Sequence, residues 1–247
     1  MPVDTEELIS RLRAARTLVV VTGSGVSAAS GVPTFRGDEG LWRTFRAEDL
    51  ATPEAFAHDP QTVWEWYDWR RATIARCTPN AAHEILAKWS TRPGFTLITQ
   101  NVDGLHERAG TQNLIRFHGS LWDLRCAAEC GAPAWEDRRV PIDPLPPACP
   151  SCGGLARPGT VWFGETIDPD VLERSSQAAE GAELFLSVGT SSLVYPAAAL
   201  MHLARRSGAF IVEINPGATG ASHTVDLPIA APAEAALPML DVRMRVG

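Results

Sequence analysis

The stretch Leu18 to Gly37, LVVVTGSGVSAASGVPTFRG, constrains this chain more than any other. Leu18, Val19, Val20 and Val21 form a short apolar run without alternation, the pattern of a parallel strand covered on both faces. Thr22-Gly23-Ser24-Gly25 then turns the chain, and glycines there allow positive φ and a close approach of backbone to ligand. Val26 to Ser30 is expected to start a helix whose free N–H groups attract phosphate. A strand ending in such a turn is the outline of a dinucleotide site. The match to Gly-x-Gly-x-x-Gly is incomplete, since Ala28 fills the last place, and a tight turn without a ligand is the alternative reading. The continuation Ser30-Gly31-Val32-Pro33-Thr34-Phe35-Arg36-Gly37 sets an aromatic and a cation between a proline and hinging glycines, a loop able to fold over a ligand.

Strands and helices alternate along the rest of the chain. Asp4-x-x-Glu7 ahead of Leu8, Ile9, Leu12 and Ala15 predicts a capped amphipathic helix, and Asp59-Pro60 and Thr78-Pro79 predict two further helix starts. Helices are expected over 61–76, 80–89, 171–179 and 197–206, and strands over 95–99, 114–117, 184–188 and 210–214. This order predicts an α/β fold, a doubly wound parallel sheet of Rossmann-like type with ligands beyond the strand C-termini. Gln100-Asn101-Val102-Asp103, His118, Gly189-Thr190-Ser191 and Asn215 fall at those ends. Two stretches interrupt the alternation. They divide a single 247-residue domain into a large lobe, about 1–29, 79–118 and 161–247, and a small lobe, about 30–78 (helical) and 119–160 (cysteine-bearing).

Four of the five cysteines lie in Cys126-x-x-x-Cys130 and Cys149-x-x-Cys152, separated by eighteen residues and flanked by glycine or proline. That pattern predicts a structural zinc ion with four sulfur ligands; redox pairs or free thiols are the alternative. Cys77 is left over as an inert buried thiol. A net charge of −7 and an acidic, proline-rich stretch between the cysteine pairs argue against a nucleic-acid partner. The N-terminus lacks the features of a signal peptide, and no apolar run approaches ~18 residues, so a cytoplasmic protein without a membrane partner is expected. A monomer is the expected state.

The loop pattern G-x-G-x-S-x-x-S-G-[IV]-P-x-F-R-G resembles the NAD-binding signature of the sirtuins, the NAD-dependent lysine deacylases, and the likeness extends over nearly the whole chain. The resemblance implies NAD contacts at Gly23, Ser24, Gly25, Val26, Ser27, Thr34, Phe35, Arg36, Trp42, Gln100, Asn101 and Asp103, with adenosine-side contacts at Gly189, Thr190, Ser191, Asn215 and Ala233. It implies that His118, in Phe117-His118-Gly119-Ser120, is the general base, a role that suits imidazole near neutral pH. Val161-Trp162-Phe163-Gly164-Glu165 resembles the strand on which that family pairs an acyl-lysine peptide. Trp64 to Arg71 resembles the class III segment, in which a Tyr-x-x-Arg pair binds succinyl, malonyl or glutaryl lysine. Here the pair is Tyr67 and Arg70, and Ala51 leaves room for the acyl chain.

Read alone, His118 is a packed or surface histidine, Asn101 and Asp103 cap a helix, and Tyr67 and Arg70 are a core-edge tyrosine and a snorkelling arginine. This chain departs from the family at Ser24, at Ala29, in the three-residue spacing of its first cysteine pair, and at Thr160, where an apolar residue is commoner. The resemblance implies a deacylase of acyl-lysine proteins or peptides that consumes NAD and binds zinc. A simple deacetylase, an ADP-ribosyltransferase and a non-catalytic NAD or ADP-ribose sensor are the rival readings.

Overall fold

The computed structural model of the protein describes residues 5–33, 47–192 and 194–246. Helix α1 (Glu6–Ala14) buries Leu8, Ile9 and Leu12 on one face, with Thr5 at its N-cap, while the expected capping residue Asp4 lies outside the described residues. Strand β1 (Leu18–Thr22) is buried along its whole length, as its unbroken apolar run requires. Helices α2 (Ala47–Leu50), α3 (Pro53–His58), α4 (Pro60–Ala75) and α5 (Ala81–Trp89) come next. The Asp59 side chain accepts from Thr62 N and Pro60 opens α4, the expected cap. At the next start the cap is Asn80 and not Thr78. The Asn80 side chain accepts from Ala82 N and its own N–H donates to His83 Nδ1 in a reciprocal box, so the helix begins two residues beyond Pro79.

Strand β2 (Phe95–Thr99), α6 (Leu105–Arg108), β3 (Leu114–Arg116), β4 (Gly119–Cys126), β5 (Trp135–Glu136) and β6 (Ala156–Thr160) follow. The chain ends with α7 (Pro169–Glu180), β7 (Leu184–Val188), α8 (Ala197–Arg206), β8 (Phe210–Ile214), β9 (Leu227–Ile229) and α9 (Ala233–Arg245). Asp168 and Pro169 start α7 two residues ahead of the expected Val171.

Six strands form one parallel sheet in the order β3-β2-β1-β7-β8-β9, and its direction of growth reverses between β1 and β7. An apolar cluster covers each face, one built from α1, α5 and α9 and the other from α7 and α8. Across the first cluster Lys88 of α5 donates to the Asp241 carboxylate of α9 at 2.6 and 2.8 Å, and Trp89 Nε1 donates to the same group at 2.9 Å. The antiparallel sheet β5-β4-β6 packs with α2, α3 and α4 around a third cluster that includes Trp64, Tyr67, Leu121, Trp122 and Trp162. Gly119 joins the two sheets. Its φ is +75°, and a Cβ there would stand 2.1 Å from Gly159 O, so only glycine lets the chain pass from His118 into β4. Among the described residues no helix is long and apolar enough to cross a membrane.

Candidate active site and metal centre

The reversal point between β1 and β7 is where an open α/β sheet offers a crevice beyond its strand ends. Gly23, Gly25 and Gly189 meet there, but not for the expected reason. Gly23 has φ −128° and neither it nor Gly25 takes positive φ. Instead the two loops touch backbone to backbone: a Cβ on Gly23 would lie 2.9 Å from Gly189 O, and one on Gly25 2.8 Å from Gly189 Cα. The regular helix expected from Val26 is also absent. Single 3₁₀ turns at Ser24–Val26 and Ala28–Ser30 take its place, closed by Gly31 at φ +85°. Anion attraction here therefore rests on individual N–H groups and not on a long helix dipole.

The polar residues expected at the strand ends are brought together. Gln100 Nε2 donates to Thr190 Oγ1 at 3.0 Å, and Asn215 Nδ2 donates to Thr190 O at 2.8 Å, linking β2, β7 and β8. Asn101 Nδ2 donates to Gly23 O at 3.0 Å and Ser27 Oγ at 3.1 Å, while Ser27 Oγ donates to Asp103 Oδ2 at 2.7 Å. Burial raises the Asp103 carboxyl, and the Leu105 N–H and Ser27 hydroxyl oppose that rise. The N-cap of α6 is Gly104 and not Asp103, whose carboxylate accepts from Leu105 N at 2.8 Å from one residue ahead of the cap. Ser191 follows Thr190 on the same loop. Ala233 is 3% exposed with its methyl in the core, which leaves only its backbone for a ligand. Thr34, Phe35, Arg36 and Trp42 lie outside the described residues.

Two histidines missed in the sequence lie beneath this group. His83 accepts from Asn80 N through Nδ1, so its Nε2–H faces Ser27 Oγ at 3.4 Å, and burial holds the ring down to about 4. His106 Nε2 meets Thr22 Oγ1 at 3.0 Å, Thr22 donates to Thr99 Oγ1 at 2.9 Å, and the two imidazoles lie 4.8 Å apart. Both are neutral at pH 7, so their N–H groups fix the direction of the hydroxyls that support Asn101 and Asp103. His118 is half-buried at the end of the strand that follows. Its Nδ1 lies 3.1 Å from Gln100 O; the carbonyl can only accept, so Nδ1 carries the proton and Nε2 the free lone pair.

On α4, Tyr67 is 1% exposed and its hydroxyl accepts from Trp162 Nε1 at 2.8 Å and pairs with Thr160 Oγ1 at 3.0 Å. The Arg70 guanidinium lies over the Trp66 ring at 4.8 Å and near the Tyr67 ring at 5.8 Å, and its charge is felt at Asp103. Burial pushes the Tyr67 phenol up, so it is a neutral donor near pH 7. The segment Val161 to Glu165 is not a strand. Strand β6 ends at Thr160, Val161 N still donates to His118 O at 3.0 Å, and Trp162 to Glu165 form a turn closed by Glu165 N donating to Trp162 O at 3.0 Å. Gly164, at φ +85°, and the Glu165 carboxylate, which accepts from Trp162 N and from Arg157, curl the backbone there. Phe163 N donates to Ala51 O at 2.9 Å, which joins the turn to the buried Ala51.

The four cysteine sulfurs all lie within 4.8 Å of one another, with Cys126 to Cys152 at 3.6 Å and Cys130 to Cys149 at 3.8 Å. A tetrahedral zinc ion with Zn–S bonds of ~2.3 Å holds its sulfurs roughly 3.8 Å apart, so donor set and spacing fit one structural ion. The backbone N–H of Cys130 draws the Cys126 thiol down, while against the pull of the Ala132 N–H the neighbouring sulfurs push the Cys130 thiol up. The extra residue of the first pair is absorbed by Glu129, whose φ of +50° turns the wider knuckle.

Residues 23–196 match the Sir2 family. A protein of Aquifex aeolicus named NAD-dependent protein deacylase is 50% identical over 85% of this chain and 87% of its own length. The crystal structure of a Sir2 homologue in complex with NAD superposes with a TM-score of 0.92 at 43% identity, covering 97% of this chain and 93% of that one. A Sir2 structure with a p53 peptide and NAD+ gives 0.85 at 27% identity, covering 99% of this chain and 100% of that one. A nucleotide crevice at the sheet reversal, a four-sulfur centre in the smaller sheet and these likenesses have one common meaning: the chain belongs to the Sir2 family, the sirtuins.

Proposed function

We propose that this protein is an NAD-dependent protein-lysine deacylase that prefers succinyl, malonyl or glutaryl lysine, with deacetylation as a weaker activity. The acidic-acyl preference is carried by one observation: on adjacent turns of α4 a buried neutral phenol, Tyr67, stands beside the Arg70 guanidinium. A carboxylate-tipped acyl group has use for both, since the phenol donates a hydrogen bond and the guanidinium supplies charge.

NAD, consumed as a reagent, supplies an electrophilic anomeric carbon and nicotinamide as leaving group. In this reading Gln100, Asn101 and Asp103 hold the nicotinamide end, and Thr190, Ser191 and Asn215 the adenosine end. His118 takes a proton from a ribose hydroxyl on Nε2, with Nδ1–H fixed on Gln100 O. The turn from Val161 to Glu165 and Ala51 border the acyl-lysine, whose acyl oxygen attacks the anomeric carbon as nicotinamide leaves; one water is then consumed as deacylated lysine and 2′-O-acyl-ADP-ribose are released. Mass spectrometry on acetyl, malonyl and succinyl peptides with NAD tests the proposal. Tyr67→Phe with Arg70→Met is expected to lower desuccinylation by roughly tenfold to a hundredfold while deacetylation persists. Equal loss of both activities would sink the assignment.

A further inference from the structure

The buried hydroxyl pair beneath Trp162 holds one hydrogen more than it can place. Tyr67, Thr160 and Trp162 are 1%, 4% and 3% exposed, and three polar hydrogens meet there: the indole N–H, the phenol O–H and the threonine O–H. Two contacts join the three groups, Trp162 Nε1 to Tyr67 Oη at 2.8 Å and Tyr67 Oη to Thr160 Oγ1 at 3.0 Å. An indole can only donate, so the first contact has a fixed sense. The second has two senses. If Tyr67 donates to Thr160, the threonine hydrogen is left over; if Thr160 donates to Tyr67, the phenol hydrogen is left over. Among the described residues neither hydroxyl has a further partner, and a buried donor without an acceptor is unfavourable.

We infer that Thr160 is a specificity-determining residue for the acyl group. The inference rests on the reading that Tyr67 and Arg70 face a carboxylate-tipped acyl-lysine. With that ligand bound, Thr160 donates to the Tyr67 oxygen, Trp162 donates to its other lone pair, and the phenol hydrogen goes to the carboxylate. All three hydrogens are then placed. Two donors on the phenol oxygen polarise its O–H and strengthen the bond to the ligand. An acetyl group brings no acceptor to this end of the pocket and leaves the surplus in place. Trp162 is itself fixed in position, because the Arg157 guanidinium lies 3.3 Å from its ring centroid and is paired with Glu165, whose carboxylate also accepts from Trp162 N.

The test compares kcat/KM on succinyl-lysine and acetyl-lysine versions of one peptide for the wild type, Thr160→Val, Thr160→Ala and Thr160→Ser, each shown to be folded by its melting curve. Valine keeps the shape of threonine and removes the hydroxyl. The succinyl-to-acetyl ratio is expected to fall about threefold in Thr160→Val. The change should appear in KM for the succinyl peptide, since the acyl tip is remote from the reacting carbon. Thr160→Ala shifts the ratio in the same direction, and Thr160→Ser restores the wild-type value. An unchanged ratio in both hydroxyl-free variants, or no recovery with serine, overturns the role of Thr160 while leaving a wild-type succinyl preference intact. A wild type that does not favour the succinyl peptide overturns the acidic-acyl reading and this inference together.

Discussion

At His118 one hydrogen bond decides which nitrogen can act. Nδ1–H is committed to Gln100 O, so Nε2 is the proton acceptor. Burial lowers the ring's affinity for protons from its ordinary 6.5, and the bond to Gln100 O opposes that shift without cancelling it. A base is active when unprotonated, so kcat/KM is expected to rise with pH through an inflection below 6.5 and to level off above it. A pH–rate profile whose acid limb lies at or above 6.5 would contradict the assignment. His118→Tyr, which keeps a ring but removes the basic nitrogen, is expected to retain the fold and lose turnover. The short motifs around Gln100 and His118 were legible because their residues are neighbours in sequence. His83, His106 and Arg71 were not, because they meet Ser27, Thr22 and Asp137 across 56, 84 and 66 positions. Local spacing carries no trace of such contacts.

Helix α4 uses consecutive residues for different ends. Arg70 turns toward Tyr67, whereas Arg71 is fully buried and reaches the cysteine-bearing segment: it donates to Leu121 O at 3.1 Å, Arg139 O at 3.1 Å and the carbonyl of Asp137, and pairs with the Asp137 carboxylate at 3.2 Å. Replacing it removes the donor to Leu121 O and to the Asp137 carbonyl, while Arg139 still pairs the Asp137 carboxylate. Arg71→Leu is therefore expected to cost about 2–4 kcal/mol, read from urea unfolding midpoints, and a loss well under ~1 kcal/mol would show that the helix and the small sheet do not depend on this contact. Element types were largely readable from apolar runs and Asp-Pro caps. Boundaries moved where side chains outside the pattern intervened, as with Asn80 taking the cap from Thr78, or the Glu165 carboxylate, paired with Arg157, holding Trp162 N in the turn that follows Val161. The 3₁₀ turns after β1 escaped sequence reading because packing of Gly23 and Gly25 on Gly189 sets them.

Across the whole molecule, β4 runs from Gly119, next to His118, to Cys126, so eight residues connect the proposed base to the four-sulfur centre. Removal of zinc with a strong chelator is expected to unfold the small sheet first, red-shift the emission of Trp122 and Trp135 and abolish turnover, while the six-stranded sheet melts separately at higher temperature. Metal analysis should find one zinc per active chain; a melting curve and activity indifferent to chelation would remove the ion from the account. The basic residues of the chain are unusual in kind. Of 22 such residues, all but Lys88 are arginine, and Lys88 is engaged by the buried Asp241 between α5 and α9. Under the proposed activity, an eraser of amine modifications exposes almost no reactive amine of its own, so a burst of acyl donors that decorates neighbouring proteins would leave it nearly bare.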